Sequence, residues 1–275
     1  MTATDRYGVM GYPVSHSRSP VIHRLFALQT GQNLQYELLQ VTPEKLETAI
    51  RQFQRTGGKG LNITVPHKSE VTRLVDQLSE RASTAGAVNT LAFKDGKILG
   101  DNTDGIGLLR DLAVNLGVAL EHSRILVLGA GGATRGIVGP LLEMQPASLT
   151  IANRTLGKAQ IIADHFSEFG PVSACRFNGV PVKEKFDLII NATSAGLKGD
   201  SPPYPAAAIT DKTFCYDLSY GRKPTPFSVW ARECGAVRSV MGWGMLVEQA
   251  AESFRVWRGV RPDTGPVLKQ MSIVG

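Results

Sequence analysis

Two adjacent side chains, His67 and Lys68, in the stretch Asn62-Ile63-Thr64-Val65-Pro66-His67-Lys68 are the first candidates for proton chemistry. Histidine is the usual choice, because its ordinary pKa lies near neutrality and that of lysine does not. Strand alternation argues the other way. Side chains two apart share a face, so Asn62, Thr64 and Lys68 fall on one side and Ile63, Val65 and His67 on the other. Pro66 can disturb the pattern after Val65, so the assignment is firmest for Asn62 and Thr64. His67 groups with apolar residues and reads as a packing side chain, which leaves Lys68 as the expected proton carrier.

A second kind of chemistry is written in "RILVLGAGGATRG". A strand runs into Gly129-Ala130-Gly131-Gly132-Ala133 and then a helix. Glycines there let the backbone approach a pyrophosphate, whose charge then rests on the helix N-terminus. The third glycine of the usual pattern is missing, since position 134 is threonine. The next strand ends in Asn153-Arg154-Thr155, with Lys158 four residues beyond Arg154. An acid at that strand end would hold the ribose 2′-hydroxyl of NAD, whereas a guanidinium can hold a 2′-phosphate at two points. The expected cofactor is NADP(H); the plainer reading is an ordinary turn with a solvated arginine.

"PVSHSRSP" places Ser17 and Ser19 just before a helix that starts with Pro20. Taken alone this is a helix cap with proline in the first turn. The same hydroxyls at a helix N-terminus would also hold a carboxylate.

These groups need elements to position them. From Tyr7 to about Gly100 short apolar runs alternate with helical patterns. Strands are expected at Tyr7 to Gly11, Gln35 to Leu39, Leu61 to Val65, Thr90 to Phe93 and Lys97 to Leu99. Helices are expected near Pro20 to Thr30, Pro43 to Arg55 and Val71 to Ala82. A second series follows: strands Arg124 to Leu128, Ser148 to Ala152, Phe186 to Asn191 and Thr213 to Asp217, in a doubly wound pattern. The run Met245 to Trp257 reads as a helix with Leu246, Val247, Ala250, Phe254 and Trp257 on one apolar face. Ser194 to Pro205, rich in Gly and Pro, reads as a loop. The expectation is a two-domain α/β protein. Residues 1–104, completed by C-terminal helices in 244–275, form a substrate-binding and catalytic domain; residues 105–243 form a Rossmann-like, doubly wound dinucleotide-binding domain.

Composition narrows the partners. The chain has 275 residues, 43% of them hydrophobic, and a net charge of +6. That is enough chain for two cores. The positive charge comes without a Lys/Arg block or interleaved aromatics, which argues against nucleic acid and suits small anions. No apolar run approaches the roughly 20 residues of a membrane span. The opening Met1-Thr2-Ala3-Thr4-Asp5 does not read as a signal peptide. Cys175, Cys215 and Cys234 form no CxxC or Cys/His cluster, so neither disulfides nor a metal site is suggested, and a reducing cytoplasm is expected.

In order and spacing, "PVSHSRSP", "GKGLNITVPHK", "AGAVNTL", "GDNTDG", "GAGGATRG", "NRT", "INATSAG" and "GMLVEQA" resemble the shikimate dehydrogenase family over nearly the whole chain. The resemblance implies NADPH-dependent reduction of 3-dehydroshikimate to shikimate, a step of aromatic amino-acid and chorismate biosynthesis. By motif it makes Lys68 and Asp104 the catalytic pair. Ser17 and Ser19, with Tyr220, would take the substrate carboxylate, and Asn62, Thr64, Asn89, Asp104 and Gln249 the ring hydroxyls. Gly129, Ala130, Gly131, Gly132 and Ala133 would wrap the pyrophosphate, and Asn153, Arg154, Thr155 and Lys158 the adenosine phosphate. Thr193, Leu218 and Gly242 would lie near the nicotinamide, and Glu80 near the cofactor.

Without that resemblance, each of these residues has a simpler role. Asp104 could cap a helix beginning near Ile106, and Asn62 and Asn89 could satisfy loop backbone. Gln249 fits a helix surface, Tyr220 a buried ring, and Glu80 a solvated helix acid. Competing functions are a quinate-using or NAD-using relative, a methylene-tetrahydrofolate dehydrogenase, and a non-catalytic NADP sensor. Monomer and homodimer both remain open.

Overall fold

The computed structural model describes residues 4–193 and 204–274; the loop expected at Ser194 to Pro205 lies, but for its last two residues, outside them. The chain divides into two compact units, Met1–Leu108 with Leu246–Gln270, and Leu109–Met245 with Met271–Gly275.

The first unit contains β1 (Asp5–Gly11), α1 (Ser19–Thr30), β2 (Leu34–Gln40), α2 (Leu46–Arg55), β3 (Gly58–Ile63), β4 (Gln77–Leu78), α3 (Glu80–Ala85), β5 (Thr90–Lys94), β6 (Lys97–Asp101) and the start of α4 (Asp104–Leu109). Its strands form one mixed sheet in the order β2-β1-β3-β5-β6-β4. β1 lies parallel to both β2 and β3, while β5 runs antiparallel to β3 and β6. α1 and α2 supply the crossovers that parallel strands require. Leu46, Ile50 and Phe53 recur on one face of α2 and are buried with Met10, Leu61 and Ile63 of the sheet.

One expected element is absent. Instead of a helix over Val71 to Ala82 there is a single 3-10 turn at Glu70–Arg73, then β4, then α3. Pairing along β6 overrides the local pattern. Asp76 N donates to Ile98 O at 2.8 Å, Ser79 N donates to Gly100 O at 2.9 Å, and Ser79 then caps α3 by accepting from Ala82 N.

The second unit contains β7 (Arg124–Leu128), α5 (Gly132–Glu143), β8 (Ser148–Ala152), α6 (Leu156–His165), β9 (Val172–Cys175), β10 (Leu188–Asn191), β11 (Phe214–Asp217), α7 (Pro226–Glu233) and β12 (Arg238–Met241). All six strands are parallel, in the order β12-β11-β10-β7-β8-β9. Ile125 to Leu128 are fully buried, as expected for a parallel strand covered on both faces. β9 and β12 are the sheet's edges; their residues are mostly half-buried, so they lack the apolar run that marks the central strands in the sequence. The order reverses between β7 and β10, and at that switch point the carboxyl ends of the strands open a crevice.

After β12 come α8 (Trp243–Arg258) and α9 (Gly265–Val274). Val247, Ala250 and Phe254 of α8 are fully buried, Phe254 alone contributing about 2 kcal/mol. The Trp257 ring stacks on Tyr7 with centroids 4.7 Å apart, and its Nε1 donates to Leu91 O at 2.8 Å. Polar Glu248, Gln249, Glu252 and Ser253 are buried too, so α8 is enclosed nearly all round over these residues.

Candidate active site

Lys68 and Asp104 are brought together in the first unit. Lys68 Nζ donates to Asp104 Oδ2 at 2.5 Å, with the side chains 12% and 4% exposed. Lys68 is held through its backbone, since its carbonyl accepts from Val88 N at 2.8 Å. Asp104 opens α4 without capping it. Asn102 Oδ1 accepts from Asp104 N at 3.0 Å, which satisfies that orphan donor and leaves the carboxylate available to Lys68.

A hydrogen-bonded polar cluster surrounds the pair. Asn89 Nδ2 donates to Asp104 Oδ1 at 2.8 Å and to Thr103 Oγ1 at 2.9 Å, with Gln249 Oε1 at 3.3 Å. Asn89 Oδ1 in turn accepts from Thr103 N at 2.8 Å and from Thr90 Oγ1 at 2.9 Å. Acceptors on one side and donors on the other fix the Asn89 amide in one orientation. Asn62, expected to meet a ring hydroxyl, is occupied within the protein. Its Oδ1 accepts from Tyr36 OH at 2.7 Å, and its Nδ2 lies within 3.2 Å of Asn89 O, Thr90 Oγ1 and Ser253 Oγ. Asn62 therefore supports Asn89, and no amide hydrogen is left over.

The neighbouring histidines are packing residues. His67 is buried, and its Nε2 lies 2.7 Å from Val41 O, a carbonyl that can only accept. Val65, placed on its face by simple alternation, is exposed instead, because β3 ends at Ile63. His23 is fully buried and stacks on Tyr36 at 4.3 Å; burial pushes its pKa down to about 3, so it is neutral.

Ser17 and Ser19 meet at the start of α1, where Ser17 Oγ donates to Ser19 Oγ at 3.1 Å. Thr64 is half-buried just past β3. Glu80 is exposed in the first turn of α3, where a carboxylate suits the helix N-terminus, and it is not part of the unit that carries the glycine turn. Tyr220 belongs to the second unit and packs on Trp243 at 4.7 Å.

Charge clamps fix the rotation of α8 and so aim Gln249 and Ser253 at the cluster. Arg81 binds Asp101 at 2.6 Å and Glu252 at 2.9 Å; Arg261 binds Glu248 at 2.7 Å and Glu252 at 2.9 Å. Burial opposes the charged form of Glu252, but hydrogen bonds from Arg255 and Arg81 outweigh it and hold its pKa down to about 2.

In the second unit the glycine turn and its neighbours lie at the carboxyl ends of adjacent strands. Gly129 has φ +108°, and a Cβ there would lie 2.9 Å from Ala192 O. Only glycine fits. Thr134, at the place of the usual pattern's third glycine, is buried and donates its Oγ1 to Gly129 O at 2.9 Å, tying the turn to α5. No side chain caps α5 and no acid lies in its first turn, so its leading N–H groups suit a pyrophosphate. Asn153 Nδ2 donates to Thr155 O at 2.9 Å, while Arg154 and Lys158 are exposed. Leu218 and Gly242 adjoin, since a Cβ on Gly242 would lie 2.7 Å from Leu218 O. These features fit a phosphorylated dinucleotide.

Several functional-looking residues escape a sequence reading. Asp217, buried at the end of β11, accepts from Asn191 Nδ2 at 2.9 Å, Ser219 N at 3.0 Å and Thr225 Oγ1 at 2.5 Å. This turns Asn191 Oδ1 toward Thr193, whose Oγ1 donates to it at 2.7 Å. Burial raises the Asp217 pKa. Thr90, Asn102 and Thr103 sit inside the quoted "AVNT" and "DNTDG" motifs, and Ser253 lies one turn beyond Gln249; their positions were the available signal.

Comparison with known proteins agrees with this layout. Residues 9–91 match the shikimate dehydrogenase substrate binding domain, residues 111–198 the shikimate / quinate 5-dehydrogenase family, and residues 242–271 the shikimate 5'-dehydrogenase C-terminal domain. The chain is 53% identical over 265 residues to the shikimate dehydrogenase (NADP(+)) of Alkalilimnicola ehrlichii, covering 96% of this chain and 97% of that protein. An Ael1 enzyme from Pseudomonas putida superposes with TM-score 0.87 at 46% identity, covering 97% and 98% of the two chains. Shikimate 5-dehydrogenase from Thermus thermophilus, solved with NADP(H) and shikimate, gives TM-score 0.86 at 31% identity, covering 99% and 100%.

Proposed function

The chain belongs to the shikimate dehydrogenase family, and on that premise we propose that it catalyses the reversible, NADPH-dependent reduction of 3-dehydroshikimate to shikimate. The observation that carries the reading is the buried Lys68–Asp104 ion pair within a cluster of Asn, Thr and Gln side chains. Bound NADPH supplies the hydride. The chain's own task is to place the ketone and manage the charge that develops on its oxygen.

Lys68 as ammonium performs both parts of that task. Its charge stabilises the developing oxyanion, and one of its protons passes to that oxygen, leaving the neutral amine and the alcohol. Asp104 orients the ammonium through Oδ2 while Asn89 holds Oδ1. In the oxidation direction the neutral amine is the required base. Ser17 and Ser19 would take the substrate carboxylate, and Thr64, Gln249 and Asp104 would meet hydroxyls. On the second unit, Gly129 to Ala133 would hold the pyrophosphate, Arg154 and Lys158 the 2′-phosphate, and Thr193, Leu218 and Gly242 would adjoin the nicotinamide. Three free cysteines, with Cys215 pushed up to about 12 by burial and hence unreactive, suit a reducing cytoplasm. Among the described residues no helix is long and apolar enough to cross a membrane. A monomer and a homodimer both accord with this reading.

The test is reduction of NADP⁺ by shikimate and by quinate, with NAD⁺ in parallel. Turnover of shikimate with NADP⁺ well above the other three combinations is expected. Equal use of quinate would make the enzyme a quinate/shikimate dehydrogenase, and no turnover at all would leave a non-catalytic NADP-binding protein.

A further inference from the structure

The strand beside β8 presents a second guanidinium to the Arg154 turn. Ala152 and Cys175 are register partners in β8 and β9, and Asn153 N donates to Cys175 O at 3.1 Å. Residues 153–154 and 176 thus leave the sheet side by side at its carboxyl edge. The backbone at Arg176 is pinned: its carbonyl accepts from Gly179 N at 2.9 Å, and the next residue, Phe177, is buried in the core. From there Arg176 Nη1 reaches Arg154 O at 3.5 Å.

Among the described residues no carboxylate pairs with the charges at this edge, unlike those of the arginines that clamp the first unit. Arg6, Arg81, Arg258 and Arg261 each meet a carboxylate. Arg154, Lys158 and Arg176 are exposed, and among the described residues no acid lies within ion-pair distance of any of the three. α6, which follows the turn, has no acid in its first turn. Like charges gathered without a counter-charge repel, and a dianionic phosphate monoester reverses the sign of that energy.

We infer that Arg176 is a further determinant of cofactor specificity, adding guanidinium donors to the 2′-phosphate beside those of Arg154. This rests on the NADP reading above. Arg154 engages through its own side chain, while Arg176, anchored on a different strand, approaches the same turn from β9. A phosphate monoester has three terminal oxygens, more than one arginine fork can satisfy. Position 176 lies 22 residues from position 154, and only the pairing of β8 with β9 brings the two together.

Calorimetric titration tests it without turnover, using adenosine 2′,5′-bisphosphate against AMP, and NADP⁺ against NAD⁺. Arg176→Ala is expected to weaken the 2′-phosphorylated ligand of each pair roughly 5- to 20-fold, with AMP and NAD⁺ within about twofold. Arg176→Lys should recover part of the loss, and the penalty should shrink as salt rises. An Arg176→Ala protein that binds adenosine 2′,5′-bisphosphate like the wild type overturns the inference, as does an equal loss for both members of a pair. A wild-type chain that holds both members equally well overturns the NADP reading itself, and this inference with it.

Discussion

Replacing Lys68 with methionine separates chemistry from structure. Methionine keeps most of the apolar stem and removes only the ammonium. Two effects follow, and their sizes come from the geometry. Loss of a general acid that also stabilises the oxyanion lowers kcat by roughly 10²- to 10⁴-fold, about 3–5 kcal/mol in the barrier. Loss of a cation 2.5 Å from a carboxylate only 4% exposed strands a buried charge. Breaking such a pair costs about 3–5 kcal/mol of stability. The low end applies here, because Asp104 Oδ1 keeps its hydrogen bond from Asn89 at 2.8 Å. About 3 kcal/mol corresponds to a fall in Tm of about 10 °C for a unit of this size.

The assay measures kcat and KM for 3-dehydroshikimate reduction at a temperature where thermal unfolding shows the variant folded. A second variant, Lys68→Met with Asp104→Asn, removes the stranded charge and should regain stability over the single variant without regaining kcat. KM for substrate should move far less than kcat in Lys68→Met. A kcat within tenfold of wild type would remove Lys68 from proton transfer, and a double variant less stable than Lys68→Met would refute the reading of Asp104 as its buried counter-charge.

Other outcomes follow from particular contacts. Asp104→Asn should lower kcat and raise KM together, since an amide cannot accept from both Lys68 and Asn89 as the carboxylate does; unchanged kinetics would reduce Asp104 to a helix-start residue. Arg154→Ala should weaken NADPH binding in a fluorescence titration while leaving NADH nearly unaffected, and equal losses would show that it does not read the 2′-phosphate. Glu252, with its pKa held at about 2 in the fold, stabilises the native state fully above the ordinary carboxylate value near about 4.3, and that contribution fades as pH falls toward about 2. The Tm gap between wild type and Glu252→Gln should therefore narrow over that acid window, and parallel curves would count against the arginine clamp.

How much of this was legible beforehand differs by element. A central strand such as Arg124–Leu128 is readable because burial on both faces demands a continuous apolar run. β4 and the missing 71–82 helix are not readable, because hydrogen bonds to β6 decide them and local propensity does not. The inward placing of His67 is legible from alternation, though for a reason only partly right. Alternation ends at Ile63, and His67 is buried because Val41 O receives its ring nitrogen.

By itself, the sequence determined the α/β class, the glycine turn with its basic strand end, and the ordered motifs that carry Lys68, Asn89, Asp104 and Gln249. These are set by local spacing, which the chain carries at every point. The tertiary structure alone decided that Asn62 is enclosed by Tyr36, Thr90 and Ser253, that Arg81 locks α8, and that Arg176 stands beside Arg154. Those are pairings between residues far apart along the chain, where hydrogen-bond and charge satisfaction depends on which strands and helices meet, and no local pattern encodes that meeting.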